Sequence, residues 1–131
     1  MREQPSAAEL IDAVAEFITR EVAPTLSGRL AFHARVAANA LAIVKRELEL
    51  GPAADRADAA RLAALLGQEG DPAALTEELC RRIASGEIAA DDPALIDHLW
   101  ATTLATVAVD QPGYGTYRRV VAGLAEGESS A

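Results

Sequence analysis

Residues 26–50 read LSGRLAFHARVAANALAIVKRELEL, and this stretch decides the fold. Its apolar residues recur every three or four positions, which is the period of an α-helix. They form two stripes, so the helix is expected to be buried on a wide face. The first stripe is Leu26, Leu30, His33, Ala37, Leu41, Val44 and Leu48, and the second is Phe32, Val36, Asn39 and Ile43. Pro24 before the stretch and Gly51–Pro52 after it are predicted to limit this helix.

The flanking sequence predicts further helices with recognisable starts. Residues 6–9 read SAAE, which has the form of a capping box, and two Asp-Pro pairs at 71–72 and 92–93 are typical of an N-cap followed by a first-turn proline. The remaining helices are predicted at 7–22, from Asp55 to 66, at 72–85, at 93–109 and from 114 or 115 to 124. No segment alternates strictly between apolar and polar residues, as a half-buried strand would.

The sequence therefore predicts an all-α fold, a bundle of five or six helices with a long central second helix. We expect one helical domain over residues 1–125, because 131 residues suit one domain. Residues 126–131 are expected to form a flexible C-terminal tail.

The composition of the chain indicates which kinds of molecule it is expected not to bind. The chain has thirty alanines, five aromatic residues and a net charge of −8, with eleven arginines and one lysine. An acidic balance argues against nucleic acid and anionic membranes as partners. We find no apolar run long enough for a signal peptide or a membrane span, so a cytoplasmic location is expected. The arginine and alanine bias is typical of a bacterial protein from a GC-rich genome.

One candidate polar cluster lies in the second helix. Arg29 and His33 are four residues apart and therefore neighbours on a helix, and Asn39 falls in the second apolar stripe. We expect all three on the buried face. In one interpretation they bond to adjacent helices and fix the packing. In the other they line a pocket, where Arg29 offers a planar fork to a carboxylate or phosphate and the other two supply donors.

Acidic residues elsewhere are alternative partners for Arg29. Asp12 and Glu16 of the first helix could each pair with its guanidinium inside the domain. Asp110, in the turn before Gln111–Pro112, could do the same, and it completes the candidate site.

The remaining reactive residue types predict no catalytic residue, no metal site and no cofactor. Cys80 lies between apolar positions of a helix and is expected to be buried. His98 is expected to be partly exposed, and no spacing of histidines and carboxylates suits a metal. Residues 113–116, GYGT, lack the lysine of a phosphate loop and are expected to form a turn.

The chain resembles a family of small uncharacterised bacterial proteins, a domain of unknown function. The resemblance rests on QPSAAEL at 4–10, GRLAFHARVAANAL at 28–41, LCRRI at 79–83 and AVDQP at 108–112. Members of that family tend to occur beside, or fused after, aminoglycoside-phosphotransferase-like proteins of the kinase fold, often near acyl-CoA dehydrogenases. The resemblance implies an accessory or regulatory role beside such a protein and carries no catalytic residues.

Two functions follow as hypotheses. The first is a non-catalytic helical module that binds a phosphotransferase-like protein, or a second copy as a homodimer, through an Ala-rich face such as residues 57–66 with its leucines. The second is a small-molecule-binding or catalytic protein with its pocket at Arg29, His33 and Asn39.

Overall fold

The computed structural model describes residues 4–130, and it confirms the predicted all-α fold with a long second helix. The described part contains five α-helices and no strand. These are α1 (Ala7–Phe17), α2 (Gly28–Leu66), α3 (Pro72–Ser85), α4 (Pro93–Asp110) and α5 (Gly115–Ser129). Within residues 4–130, no helix combines the length and the apolar character that a membrane span requires.

The start of α1 confirms the predicted capping box. The Ser6 side chain accepts a hydrogen bond from the Glu9 N–H at 3.1 Å, and the Glu9 carboxylate accepts one from the Ser6 N–H at 2.7 Å. After Phe17 the chain widens into a π-helical turn, Ile18–Val22, and then tightens into a 3₁₀ turn, Ala23–Thr25. Pro24 lies in this 3₁₀ turn and has no N–H to donate, which weakens the regular ladder at this point.

The second helix is longer than predicted. Gly51–Pro52 was expected to end it, but α2 continues through this pair to Leu66, so the predicted second and third helices are one. The proline removes one N–H donor from the ladder, but the helix-favouring alanines that follow allow it to resume. The helix ends at Gly67, whose φ of +68° lies in the left-handed region that glycine adopts freely.

The next two helices begin as the Asp-Pro pairs predicted. The Asp71 side chain accepts hydrogen bonds from the N–H groups of residues 73 and 74, and the Asp92 side chain does the same for residues 94 and 95. Pro72 and Pro93 occupy the first turns, where a missing N–H costs nothing. The last helix, α5, runs to Ser129, so most of the predicted tail is helical; residues 1–3 and 131 lie outside the described part.

Contacts within the chain form two compact units that divide between Pro52 and Ala53, inside α2. The second unit has the larger side chains in its core, a cluster of Leu62, Leu66, Leu75, Leu79 and Leu95. Partly buried Leu65, Ile83 and Ile88 pack against this cluster. Whether the chain is one folding domain stays a prediction.

The first unit is packed differently. Its buried apolar residues, within the part described, are Ala23, Ala31 and Ala38. Lys45 of α2 pairs with Asp12 of α1 at 3.1 Å, which ties the two helices together and raises the pKa of Lys45. The two apolar stripes of α2 were predicted to be buried, and most of their large residues are exposed. The prediction was wrong because periodicity identifies a helix face but not what covers it.

Candidate functional site

The structure brings two of the predicted site residues together. The Arg29 Nε–H donates a hydrogen bond to Nε2 of His33 at 3.3 Å, one turn along α2. Because Nε2 accepts this bond, a neutral His33 carries its proton on Nδ1. Both side chains are exposed, so the expectation that they are buried was wrong. The pair therefore places a guanidinium and an imidazole side by side at the surface.

Asn39 is exposed on another side of α2. It is six residues beyond His33, which on an α-helix places the two about 120° apart around the axis. Asn39 lines an open groove of about 490 Å³ between α1 and α2. The groove is lined by Ala15, Glu16, Thr19, Arg20, Arg35, Ala38, Asn39 and Ala42. Asn39 therefore does not share a side of α2 with the Arg29–His33 pair.

Asp110 is the last residue of α4, in the second unit, and its side chain is exposed. The acidic alternatives in α1 are engaged elsewhere: Asp12 pairs with Lys45 at 3.1 Å, and Glu16 lies 3.9 Å from Arg20. Arg29 therefore contacts His33 and does not pair with either of the two α1 carboxylates.

The second unit contains a polar cluster that the sequence did not indicate. It consists of Asp58, Arg61, His98 and Thr102, and we call it the Asp58 cluster. The Thr102 hydroxyl donates to Asp58 Oδ1 at 2.7 Å, and the Arg61 guanidinium lies 3.3 Å from the same oxygen. His98 Nδ1 lies 3.8 Å from it. His98 is buried at 6% exposure, which corrects the expectation of a partly exposed histidine.

The Asp58 cluster links α2 to α4. The Thr102 hydroxyl donates to the Asp58 carboxylate and not to His98, and Arg61 contacts the same carboxylate oxygen. Within the described part of the chain, His98 Nδ1 and Arg61 Nε are buried without hydrogen-bond partners. The sequence did not predict the cluster, because its members belong to two helices that are about forty residues apart along the chain. The i, i+3 and i, i+4 spacings within each helix were the only available signal.

A second group of charges joins α3 to the end of α2. Glu78 accepts hydrogen bonds from Arg81 at 2.8 Å and from Arg82 at 2.9 Å. These bonds, that from Arg81 first, lower the pKa of Glu78 to about 2. Arg82 also donates to the Leu66 carbonyl at 3.0 Å and to the Gln68 side chain at 3.2 Å. It therefore satisfies a carbonyl at the C-terminus of α2, where positive charge is favourable.

The Ala-rich face and the cysteine both differ from expectation. Residues 57–66 were predicted to present leucines for docking, but Leu62 and Leu66 belong to the core and Leu65 is partly buried. The alanines of this face instead line an open groove of about 590 Å³. Cys80 is exposed and not buried. Among the described residues, no group of three or more metal-binding side chains converges.

The first unit exposes many large apolar side chains. Nine large apolar side chains there are each 45% to 64% exposed. They are Leu10, Val14 and Phe17 on α1, and Leu30, Phe32, Val36, Val44, Leu48 and Leu50 on α2. Successive residues of a helix project about 100° apart, so Leu30, Val44 and Leu48 share one side of α2 and Phe32, Val36 and Leu50 share another. Single exposed apolar residues are normal, whereas rows of them along a helix are typical of contact surfaces.

These features define a class, that of small all-α proteins with many exposed apolar side chains. A family model described as a domain of unknown function, DUF6285, matches residues 24–114. The chain therefore belongs to the DUF6285 family. The matched segment includes all of α2, α3 and α4. No curated protein and no solved structure matches the chain.

Proposed function

We propose that the chain is a cytoplasmic, non-catalytic helical module that binds a phosphotransferase-like protein of the kinase fold. The observation that carries the proposal is the set of nine exposed apolar side chains in the first unit. Leaving such surface in water is unfavourable by about 25 cal/mol per Å², so covering it with a partner provides a driving force for association. The class of partner comes from the family resemblance, which links such chains to phosphotransferase-like neighbours.

The apolar residues of α1 give the proposal a defined contact. Leu10, Val14 and Phe17 follow the spacing i, i+4, i+7, so they lie along one side of the helix. A helix with such a stripe can lie in an apolar groove of a partner. The kinase-fold protein would supply that groove.

The test is co-expression of the chain with the kinase-fold protein encoded nearest to it, followed by size-exclusion chromatography with light scattering. We expect one mixed complex. Leu10→Ser is expected to weaken it at least about tenfold, as for a residue at the centre of an interface. Leu124→Ser on α5 is the matched control, because Leu10 is 54% exposed and Leu124 is 55% exposed. Separate elution of the two wild-type proteins would remove the proposal.

A second candidate function is a small-molecule site with Arg29 and His33 as its donors. The observation that favours it is the exposed Arg29–His33 hydrogen bond, which sets a guanidinium and an imidazole side by side. Such a pair suits a carboxylate or phosphate group. Titration calorimetry with inorganic phosphate tests it: heat that disappears in Arg29→Gln supports the site, and equal behaviour of the two proteins removes it.

A further inference from the structure

Part of α2 follows a heptad pattern that shares five residues with the first predicted stripe and has Ala34 in place of His33. Six residues are spaced four, three, four, three and four positions apart, which is the heptad spacing of helices that pair side by side. They are Leu30, Ala34, Ala37, Leu41, Val44 and Leu48, and we call them the heptad stripe. Four of them are exposed, and Ala34 and Leu41 are half-buried. The stripe is therefore available to another helix.

The neighbouring side of α2 is already occupied within the first unit. Ala38 is buried and lines the same groove as Ala15 of α1. Lys45 reaches Asp12 of α1 from that side. Thus α1 covers one flank of the heptad stripe and leaves the stripe itself open to a helix of another molecule.

We propose that the heptad stripe pairs with the same stripe of a second copy, with the two α2 helices antiparallel. This inference adds a second partner to the proposed interaction role. It rests on the proposed function in one respect, because both require an exposed apolar surface. The two-fold axis passes at the level of residue 39. Leu30 then faces Leu48 of the second copy, Ala34 faces Val44, and Ala37 faces Leu41.

The antiparallel register follows from side-chain volume. It places a small residue opposite a large one in each of the inner layers, which fills the space between two helices at ordinary packing density. A parallel pair would place Ala34 opposite Ala34 and Ala37 opposite Ala37, leaving two successive layers with too little volume. Each antiparallel contact also occurs twice by symmetry, as a two-fold interface requires.

The same register is complementary in charge. Along the open flank of the stripe, His33 comes opposite Glu47 of the second copy, and the pairing is repeated across the axis. The Arg29 bond to Nε2 leaves the Nδ1–H of a neutral His33 available as a donor. Glu47 is exposed and makes no ion pair within the described part of the chain. The second copy therefore supplies a carboxylate to His33, with the positive charge of Arg29 beside it.

Sedimentation velocity over a micromolar concentration series is the first test. One helix from each copy makes an interface at the small end of the specific range, so we expect a reversible monomer–dimer equilibrium. Val44→Glu should shift it to monomer, whereas Val121→Glu, at an exposed valine of α5, should leave it unchanged. A wild-type protein that stays monomeric throughout the series would overturn the inference.

Charge exchange tests the register. His33→Glu places like charges opposite each other twice per dimer and should weaken it about tenfold or more. Combining His33→Glu with Glu47→Lys restores opposite charges and should recover most of the loss. If the double variant dimerises no better than His33→Glu alone, the register is wrong.

Spin labels test the direction, in a Cys80→Ser background that removes the exposed native thiol. Labels at Asn39→Cys lie at the level of the axis, whereas labels at Glu49→Cys lie about 30 Å apart along an antiparallel pair. The distance between the Glu49 labels should therefore be clearly the longer. A Glu49 distance that is no longer than the Asn39 distance would show a parallel pair and overturn the inference. A chain that binds the kinase-fold protein but never itself would overturn only this inference.

Discussion

Three side chains of the second unit lie close to one carboxylate oxygen. Asp58 Oδ1 accepts the Thr102 hydroxyl at 2.7 Å and lies close to both Arg61 and His98. Asp58 is two-thirds buried, so the hydroxyl replaces hydration that the carboxylate loses on folding. This bond joins α2 to α4 across forty-four residues of sequence.

Thr102→Val is expected to lower the free energy of unfolding by about 1–3 kcal/mol, because it keeps the volume and leaves a partly buried charge with one donor fewer. Urea denaturation measures the difference. Thr106→Val on the same helix is the control, because the Thr106 hydroxyl donates to the Thr102 carbonyl of its own helix, one turn earlier. Equal losses in the two variants would mean that the bond to Asp58 contributes nothing of its own.

Glu78 predicts a pH dependence of stability. Its pKa is about 2 in the folded chain, below its ordinary value of 4.5, because Arg81 and Arg82 donate to the carboxylate. A lowered pKa contributes stability above the ordinary value, and the contribution is lost as the pH falls from about 4.5 to about 2. We therefore expect Glu78→Gln to be less stable than wild type at pH 7 and to approach it at low pH.

The measurement is urea denaturation of both proteins across that pH range. Glu77→Gln is the matched control, because Glu77 is exposed and makes no ion pair in the described part of the chain. A stability difference between wild type and Glu78→Gln that does not change with pH would contradict the expected linkage.

The candidate site shows what spacing can and cannot predict at the scale of residues. The Arg29–His33 contact was predictable, because any i, i+4 pair on a helix is adjacent. The exposure of both side chains was not, because in a chain with thirty alanines several helix faces are equally apolar in pattern. The Asp58 cluster depends on how α4 packs on α2, and no local pattern encodes that.

At the scale of elements, three capped helix starts were predicted correctly, whereas the start at Asp55 and the ends at Gly51–Pro52 and at residue 124 were wrong. Ser6, Asp71 and Asp92 each cap a helix as their sequence contexts indicated, because capping depends on three or four adjacent residues. The predicted end at Gly51–Pro52 failed because a proline weakens a helix without forbidding it. Whether α2 continues there is decided by packing along its whole length.

Pro52→Ala is expected to stabilise the protein by about 1–3 kcal/mol, because alanine restores the missing N–H and removes the clash of the ring with the preceding turn. Thermal and urea denaturation both measure this change. Pro93→Ala is the control with the opposite expectation. Pro93 stands in the first turn of α4, where proline fits the helix. Its replacement by alanine makes the unfolded chain more flexible, so the free energy of unfolding should fall by up to about 1 kcal/mol. A loss of stability in Pro52→Ala would contradict the assignment of Pro52 as a weak point.

At the scale of the whole molecule, the two units differ in what they bury. The core cluster of the second unit is five leucines, whereas the buried apolar residues described in the first unit are alanines. A leucine removes several times more apolar surface from water than an alanine does. The first unit therefore has the smaller hydrophobic contribution to its stability when no partner covers it.

Hydrogen exchange followed by mass spectrometry should show this difference in dilute protein. We expect the amides of α1 to exchange faster than those of α3, because local opening costs least where few apolar contacts are broken. Both helices begin with a side-chain cap, so capping does not account for the difference. Equal protection of α1 and α3 at the lowest usable concentration would contradict the expectation.

Pro52 also determines how far such opening can spread. If the first unit unfolds, α2 loses its turns from the N-terminal side until the chain reaches Gly51 and Pro52. There, glycine is acceptable as an N-cap and proline is favoured at the first helical position, so the remaining segment already has a suitable beginning. The same two residues that weaken α2 when it is whole thus form a latent helix start. The second unit can then retain its part of α2 when the first unit opens.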